Sequence, residues 1–187
     1  MLARSSRRMT VDQFLTLYEG TEGKYELVDG QVYAMAGGSA THADVCGNIF
    51  AALRQKLRGS GCRPFNSDMG LTLTDETLRY PDVAVYCDPR DLQRNLREVR
   101  SFRHPKLIVE VLSPSTAGED IGEKLLAYKR IATLAAVVIV DPVDQRVELH
   151  ERVAPNEWRH LILPPEAGVT LRDPALKLSF GEIFAVD

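Results

Sequence analysis

Two carboxylates interrupt apolar segments in the middle of this 187-residue chain. Asp82 stands near the head of the apolar run 80–86, and Glu110 lies inside the apolar run 107–112. A charged side chain in a buried strand costs several kcal/mol unless it is paired, protonated or bound to a cation. Because hard cations such as Mg²⁺ prefer oxygen ligands, Asp82, Glu110 and the backbone carbonyl of Val111 could together hold one.

A lysine and a tyrosine, Lys124 and Tyr128, follow these carboxylates on a predicted helix. A divalent cation can activate a water molecule and stabilise charge on a phosphoryl group. A nearby lysine can then orient that water or neutralise the developing charge. Residues 80–128 therefore contain the groups that metal-assisted phosphoester hydrolysis requires.

Each of these residues also has a structural interpretation. An aspartate that follows a proline is commonly a turn or cap residue, and a lysine on a surface helix is usually solvated or salt-bridged. Glu110 is harder to explain in this way, because glutamate is almost never fully buried without a partner. The sequence alone leaves both interpretations open.

The hydrophobic pattern predicts the elements that would position these groups. Residues 80–86, 107–112 and 135–140 read as buried strands, and residues 118–131 read as a helix between the last two. Strand, helix and strand at this spacing form a right-handed βαβ crossover. If the first two strands are neighbours, the two carboxylates converge at one end of the sheet.

The other segments predict an α/β (α+β) domain with a mixed sheet flanked by helices. An Asp29-Gly30 pair between two β-prone runs is typical of a hairpin turn. Ser39 or Thr41 can begin a helix that ends near Leu57. The further predicted elements are a helix at 11–18, hairpin strands at 24–28 and 31–35, strands at 62–65, 69–73, 146–152, 157–163 and 169–171, a turn at 74–77, an arginine-bearing loop at 88–104 and a closing helix at 180–184.

Length and composition are those of one domain. With 44% hydrophobic residues the chain can form one sizeable core, which we expect to span residues 9–187, with residues 1–8 as an extension.

No apolar run approaches the roughly 20 residues of a membrane span, and no signal-peptide pattern follows the arginine-bearing start. We therefore expect a cytoplasmic protein. The net charge of −3 argues against sequence-independent coating of DNA.

The sequence lacks the motifs of several other kinds of catalytic or binding site. Cys46, Cys62 and Cys87 are widely spaced and form no zinc-binding pattern, so we expect them to be reduced and mostly buried. The chain has no Gly-x-Ser-x-Gly elbow, and the Gly-Gly pair at 37–38 lacks the context of a phosphate-binding loop.

Four phrases of the sequence, in this order, resemble one large bacterial family. They are Tyr-Glu-Leu-Val-Asp-Gly-Gln at 25–31, Tyr-Pro-Asp-Val at 80–83, Val-Glu-Val-Leu-Ser-Pro-Ser-Thr at 109–116, and Gly-Glu-Lys at 122–124 followed by Tyr128. The family is known as putative restriction endonucleases and also as domain of unknown function 820, and the resemblance extends from about Met9 to the end. It implies a PD-(D/E)XK nuclease-like core, in which a mixed sheet flanked by helices carries a metal site at one end.

The resemblance also implies roles for individual residues. Asp82 matches the family's PD aspartate, Glu110 its second acidic residue, and Glu26 its early glutamate. His42 lies where related sequences often have a histidine at the start of the first long helix. A lone histidine at such a place is more often a capping or packed polar residue than a ligand.

One position departs from the usual nuclease motif. That motif has a lysine two residues after the second acid, where this chain has Leu112. Members of the family supply the lysine from the next helix instead, and Lys124 fills that place, with Tyr128 one turn further on. The resemblance thus implies that Lys124 reaches the same pocket as the carboxylates.

The implied function is hydrolysis of DNA phosphodiester bonds by an endonuclease that depends on Mg²⁺ or Mn²⁺, with a homodimer expected by analogy. Two other interpretations remain open. One is a catalytically degenerate nuclease fold that binds nucleic acid or protein, which Leu112 and the mild acidity favour. The other is a metal-dependent hydrolase of small phosphorylated molecules. The arginines between 90 and 103 are a solvated surface or, beside a nuclease site, a phosphate-contacting flap.

Overall fold

The structure, a computed structural model, describes residues 8–18, 20–113 and 119–186. The predicted extension at 1–8, except for Arg8, lies outside these ranges, as do Gly118 of the predicted helix and the predicted loop after Ser113. None of the helices in the described ranges is both long enough and apolar enough to cross a membrane.

The elements follow one another in mixed order, with strands more numerous than helices. In chain order they are α1 (Val11–Tyr18), β1 (Tyr25–Val28), β2 (Gln31–Ala34), α2 (Ala40–Lys56), β3 (Arg63–Asn66), β4 (Gly70–Thr74), β5 (Thr77–Arg79), β6 (Val83–Tyr86), α3 (Pro89–Leu92), β7 (Ser101–Phe102), β8 (Pro105–Val111), α4 (Glu119–Lys129), β9 (Ala136–Asp141), β10 (Arg146–Ala154), β11 (Glu157–Leu163), β12 (Val169–Arg172), β13 (Ala175–Leu178) and α5 (Phe180–Ile183).

A six-stranded mixed sheet, in the order β11-β10-β9-β8-β6-β3, contains Glu110 in β8, and Asp82 immediately precedes β6. Strands β6 and β8 are antiparallel neighbours, with Val83 opposite Val109. Strands β8 and β9 are parallel, and α4 lies in the crossover between them. The predicted mixed sheet and βαβ unit are therefore confirmed. Extending the β6–β8 register by one residue sets Asp82 opposite Glu110.

Five other strands form a second sheet, in the order β2-β1-β5-β4-β7. Strands β1 and β2 form the predicted hairpin, with Val28 opposite Gln31. Asp29 and Gly30 both have positive φ, 47° and 78°, as a two-residue hairpin turn with the natural strand twist requires. This hairpin holds Glu26 in the sheet.

Some predicted boundaries were wrong. The strand predicted at 80–86 begins only at Val83, because Pro81 has no N–H to donate and redirects the chain between the two sheets. Thr77, predicted as the end of a turn, instead begins β5, which pairs with β1 and β4. The predicted loop 88–104 contains the short helix α3 and strand β7.

Helices cover both faces of the six-stranded sheet. Ile49 and Leu53 of α2 belong to the same core cluster as Val109. On the opposite face, Tyr128 of α4 packs in a cluster with Ile108. Burial on both faces explains why the strand sequences read as continuous apolar runs. Glu110 of β8 is accordingly buried, with only 5% of its surface exposed.

Cys62 and Cys87 form a disulfide, with their Cα atoms 4.1 Å apart. The expectation of three reduced cysteines was therefore wrong for this pair. The pairing follows from the sheet, because Arg63 of β3 lies opposite Tyr86 of β6 and the two cysteines flank that pair. Cys46 has a free thiol and is partly buried.

Candidate active site

Asp82 lies at the start of β6, where its carboxylate reaches across to the end of β8. Its Oδ2 accepts a hydrogen bond of 2.8 Å from the backbone N–H of Val111. This bond fixes the carboxylate beside the residue that follows Glu110. The side chain of Asp82 remains 18% exposed, so it lies at the mouth of the site rather than in the core.

Glu110 is buried and is contacted by two side chains from α4. The Tyr128 hydroxyl donates a hydrogen bond of 2.7 Å to Glu110 Oε1. The ammonium of Lys124 lies 3.9 Å from Glu110 Oε2. Lys124 and Tyr128 are four residues apart and therefore share one helix face, which α4 turns toward the sheet. Thus each oxygen of Glu110 faces a different α4 side chain.

The electrostatic balance at Glu110 is unusual for a glutamate. Burial raises its pKa most, the Asp82 and Glu26 carboxylates raise it further, and Lys124 and Tyr128 oppose them, leaving the pKa at about 7. Burial, with a further contribution from the nearby carboxylates, therefore makes the ionised form of Glu110 costly. An additional positive charge among them would lower that cost.

Leu112, at the usual position of the nuclease lysine, packs in the apolar cluster on the α4 side of the sheet. Lys124 of α4 lies 3.9 Å from Glu110, and its role as the lysine of the site stays a prediction. Lys124 is only 9% exposed, although lysine is almost never so buried without partners. Its burial beside Glu110 distinguishes it from the ordinary surface lysine that the sequence also allowed.

Glu26 of β1 is paired with Arg79 of β5. Arg79 donates a hydrogen bond of 2.6 Å to Glu26 Oε1. The other oxygen, Glu26 Oε2, is buried without a hydrogen-bond partner among the described residues. The pair belongs to the electrostatic surroundings of the site, because Glu26 raises the pKa of Glu110. Its direct partner, however, is an arginine, which the sequence did not indicate.

His42 of α2 is a polar residue with a partner, as expected from the sequence, and that partner is Asp82 of the candidate site. Its Nε2 lies 3.4 Å from Asp82 Oδ1. The hydrogen bond with Asp82 is the largest cause that raises the His42 pKa, burial opposes it, and the backbone of Val111 adds to the rise. Cys46 Sγ lies 3.7 Å from His42 Nδ1, one helical turn further on. Together, the ligand atoms of His42, Cys46 and Asp82 lie within 4.8 Å of one another.

The local sequence explains how His42 reaches Asp82. Ser39 caps α2 by accepting a hydrogen bond from the His42 backbone N–H, so His42 lies in the first turn. A Cβ at Gly38 would lie 2.5 Å from His42 Nδ1, whereas a Cβ at Gly37 would meet nothing within 4 Å. A glycine at 38, ahead of a histidine in the first helical turn, was the signal that sequence reasoning missed.

Lys24 is a second cation that the sequence did not single out. It is partly buried, and its ammonium donates a hydrogen bond of 2.8 Å to Ser67 Oγ. Burial lowers its pKa, while Asp68 and Asp82 raise it. Lys24 therefore lies within electrostatic reach of the Asp82 carboxylate.

The donor set suits a hard divalent cation. Asp82 and Glu110 offer carboxylate oxygens, and the residue next to Glu110, Val111, offers a backbone carbonyl. The mutual repulsion that raises the Glu110 pKa is the kind of unfavourable charge that a cation between the carboxylates would relieve. His42 adds a nitrogen donor beside Asp82, which Mn²⁺ accepts more readily than Mg²⁺.

A basic cavity of about 590 Å³ lies against the other side of Arg79. Most of its charged lining comes from the predicted arginine loop, from α4 and from β5. The charged and histidine residues of the lining are Asp29, Arg79, Arg90, Arg103, His104, Glu123 and Arg130. Within the loop, Asp91 is buried and accepts hydrogen bonds from the backbone N–H groups of Arg103 and His104. The loop is thus held in place against the body of the protein.

The sequence is similar to those of two cyanobacterial proteins without a described activity. The uncharacterized protein slr1290 of Synechocystis sp. is 32% identical over 174 residues, which cover 92% of this chain and 88% of the relative. The uncharacterized protein sll1609 of the same organism is 30% identical over 159 residues, or 84% of this chain and 89% of the relative.

The fold is similar to the crystal structure of a "putative nuclease belonging to DUF820" from Anabaena variabilis. The TM-score is 0.77 at 22% identity, and the match covers 95% of this chain and 98% of the other. The family model Uma2, described as "Putative restriction endonuclease", matches residues 11–184. The chain therefore belongs to this putative restriction endonuclease family, as its four sequence phrases predicted.

Proposed function

We propose that the protein is a metal-dependent endonuclease that hydrolyses phosphodiester bonds of DNA. The observation that carries the proposal is the meeting of α4 with Glu110. Lys124 and Tyr128 both reach a buried carboxylate, although Leu112 occupies the usual lysine position. A purely structural helix would not need to bury a lysine beside a glutamate with two further carboxylates nearby.

Asp82, Glu110 and the carbonyl of Val111 would hold Mg²⁺ or Mn²⁺. When bound, such an ion lowers the pKa of a water molecule and stabilises negative charge on the phosphoryl group. The His42 ring, 3.4 Å from Asp82 Oδ1, orients that carboxylate. The backbone N–H of Val111 restrains its other oxygen.

The remaining groups handle charge and protons. Lys124 orients the attacking water and neutralises charge that develops on the phosphoryl oxygens. The water oxygen forms a new bond to phosphorus, the bond to the leaving sugar oxygen breaks, and a proton passes from the water to the leaving oxygen. Tyr128 holds Glu110 in one orientation through its 2.7 Å hydrogen bond. Glu26 positions Arg79 at the border with the basic cavity.

A nucleic-acid substrate agrees with the basic cavity behind Arg79. Arg103 and Arg130 line this cavity, so the backbone phosphates of a bound strand would find guanidinium donors there. The overall charge of −3 limits binding to this local surface. The description of the family and of the Anabaena protein as nucleases supports the same substrate class.

A second candidate is a nuclease fold that has lost catalysis and binds a partner. The observation in its favour is that each carboxylate already faces a basic group of the protein. Asp82 faces His42, Glu110 faces Lys124, and Glu26 is paired with Arg79. These contacts could satisfy the carboxylates without a metal ion.

One experiment distinguishes the two candidates. Purified protein is incubated with supercoiled plasmid and with single- and double-stranded oligonucleotides, in the presence of Mg²⁺ or Mn²⁺, and metal binding is followed by calorimetry. We expect cleavage that Asp82→Asn and Lys124→Gln each reduce at least about a hundredfold. Cleavage that survives both substitutions would contradict the proposed mechanism. The absence of both cleavage and metal binding would favour the interaction module.

A further inference from the structure

An aromatic cavity of about 420 Å³ lies between α1, the start of β1 and the segment that leads to Asp82. Aromatic rings form much of its wall, and polar groups lie among them. These residues include Phe14, Tyr18, Tyr25 and Tyr80, together with Lys24 and Ser67. The size is that of a small-molecule pocket, and three of the four rings carry a hydroxyl group.

The arrangement of the rings resembles a stacking platform. Phe14 and Tyr18 stack with their centroids 5.0 Å apart at an interplanar angle of 20°. Tyr25 tilts against Tyr18, with a centroid distance of 5.1 Å. Phe14 is fully buried and anchors the cluster, whereas Tyr18 and Tyr25 are only partly buried. Phe14 belongs to the buried core cluster, and Tyr18 and Tyr25 pack against that cluster while their partly exposed rings line the cavity.

The cavity adjoins the candidate active site. Tyr80 lies two residues before Asp82 in the segment between the two sheets. The Lys24 ammonium lies 5.7 Å from the centroid of the Tyr80 ring. The same ammonium is close enough to Asp82 for the carboxylate to affect its pKa. Lys24 thus lines the cavity and also interacts with the carboxylate that is proposed to hold metal.

We propose that this cavity binds one nucleobase of the strand that is being cut, swung out of its stack. The inference rests on the proposed endonuclease function and names its substrate form. Tyr18 and Tyr25 stack on the base, and Lys24 contacts the phosphate next to it. Every base has a π-face, so the subsite accepts any sequence. A base inside an intact duplex cannot reach such a pocket without unpairing. The preferred substrate is therefore single-stranded or locally unpaired DNA.

Binding of fluorescein-labelled single-stranded DNA tests this subsite. Fluorescence anisotropy is measured with Ca²⁺ in place of Mg²⁺, so that binding is followed without cleavage. We expect Tyr18→Leu and Tyr25→Leu each to weaken binding about tenfold, because base–aromatic stacking contributes on that order per base. Tyr25→Phe keeps the ring and should bind within about twofold of the parent protein. Tyr33→Leu is the matched control, because Tyr33 is an exposed tyrosine of β2 that does not line the cavity.

A second measurement needs no substitution and so avoids any loss of folding. One abasic residue is moved stepwise along the oligonucleotide, and affinity for the unaltered protein is measured at each position. A single subsite predicts a large loss at one position, at a fixed spacing from the cleaved bond. In the same series, 2-aminopurine placed at that position should change its fluorescence on binding.

The outcomes separate this inference from the proposed function. If the protein cleaves DNA but the leucine variants at 18 and 25 match Tyr33→Leu, the subsite is wrong and the endonuclease stands. Equal losses at every abasic position, or tighter binding to intact duplex than to single strands, also overturn the subsite. A protein that neither binds nor cleaves any oligonucleotide overturns both.

Discussion

The Tyr128 hydroxyl donates a hydrogen bond of 2.7 Å to Glu110 Oε1, and both residues are buried. This bond ties the helix of the βαβ crossover to β8 at Glu110, the charged residue of that strand that is buried. The same helix brings Lys124 to the other oxygen of Glu110. Packing of α4 against the sheet therefore also brings Lys124 and Tyr128 to Glu110.

Replacing Tyr128 with phenylalanine should therefore weaken both folding and activity. The substitution leaves Glu110 Oε1 buried with its hydroxyl donor gone, which costs about 1–3 kcal/mol in the free energy of unfolding. Urea unfolding measures this loss. Tyr33→Phe, which removes an exposed hydroxyl from β2, should change stability by less than about 0.5 kcal/mol. Equal effects of the two substitutions would show that the buried bond contributes nothing specific.

Two lysines of α4 provide a matched test of the helix-borne lysine. Lys124 faces Glu110, whereas Lys129 lies 3.3 Å from His150 Nδ1, away from the carboxylates. We expect Lys124→Gln to reduce the rate of DNA cleavage at least about a hundredfold while the fold is retained. Lys129→Gln should leave cleavage within about threefold of the parent protein. Comparable losses from both would indicate a general role of charge on the helix instead.

The neighbouring glycines at 37 and 38 test the role of His42. A Cβ at Gly38 would lie 2.5 Å from His42 Nδ1 and displace the ring, but a Cβ at Gly37 would meet no atom within 4 Å. Gly38→Ala should therefore return the raised pKa of His42 toward its ordinary value, because the contact with Asp82 is lost. Titration of the imidazole by NMR measures this change. Gly37→Ala should leave the titration unchanged, and a shift in both variants would point to a general disturbance of α2.

Folding stability should fall as the solution becomes acidic, through His150. Burial, followed by Lys129 and His160, lowers the pKa of His150 to about 4. The unfolded chain therefore takes up the proton first, so stability present above about pH 6.5 is lost as the pH falls toward about 4. Urea midpoints across this range measure the loss. His150→Gln should show a flatter pH dependence than His160→Gln, whose histidine is largely exposed. Parallel profiles for the two variants would contradict the assignment.

Much of the fold could be predicted because its signals are local. Asp29-Gly30 predicts its hairpin through the positive φ angles of both residues, and the apolar run 107–112 predicts a buried strand through its continuity. The ends of strands were less predictable where pairing with other strands determined them. Thr77–Arg79 joins the second sheet because β1 and β4 offer pairing partners there. Strand β1 is distant from β5 in the sequence, so the local pattern at β5 does not reveal this pairing.

The candidate site likewise contains some residues that the local sequence predicts and others that it does not. The residue types at Asp82 and Glu110 stand out against apolar neighbours, and β6 and β8 are neighbours, as the expected convergence of the carboxylates requires. The contacts that His42 and Arg79 make with carboxylates could not be predicted from the local sequence. Their roles depend on contacts with Asp82 and Glu26, which are 40 and 53 positions away. The Cys62–Cys87 disulfide was missed for the same reason, since only strand pairing places these residues side by side.

A lysine on the same strand as Glu110 would keep its place for as long as the strand itself is formed. Here Lys124 belongs to α4, so its place depends on that helix staying packed against the sheet. An outward movement of α4 would separate the ammonium from Glu110 while the pairing of β8 with β6 and β9 stays intact. The position of the proposed catalytic lysine is therefore set by the packing of a helix rather than by the pairing of strands.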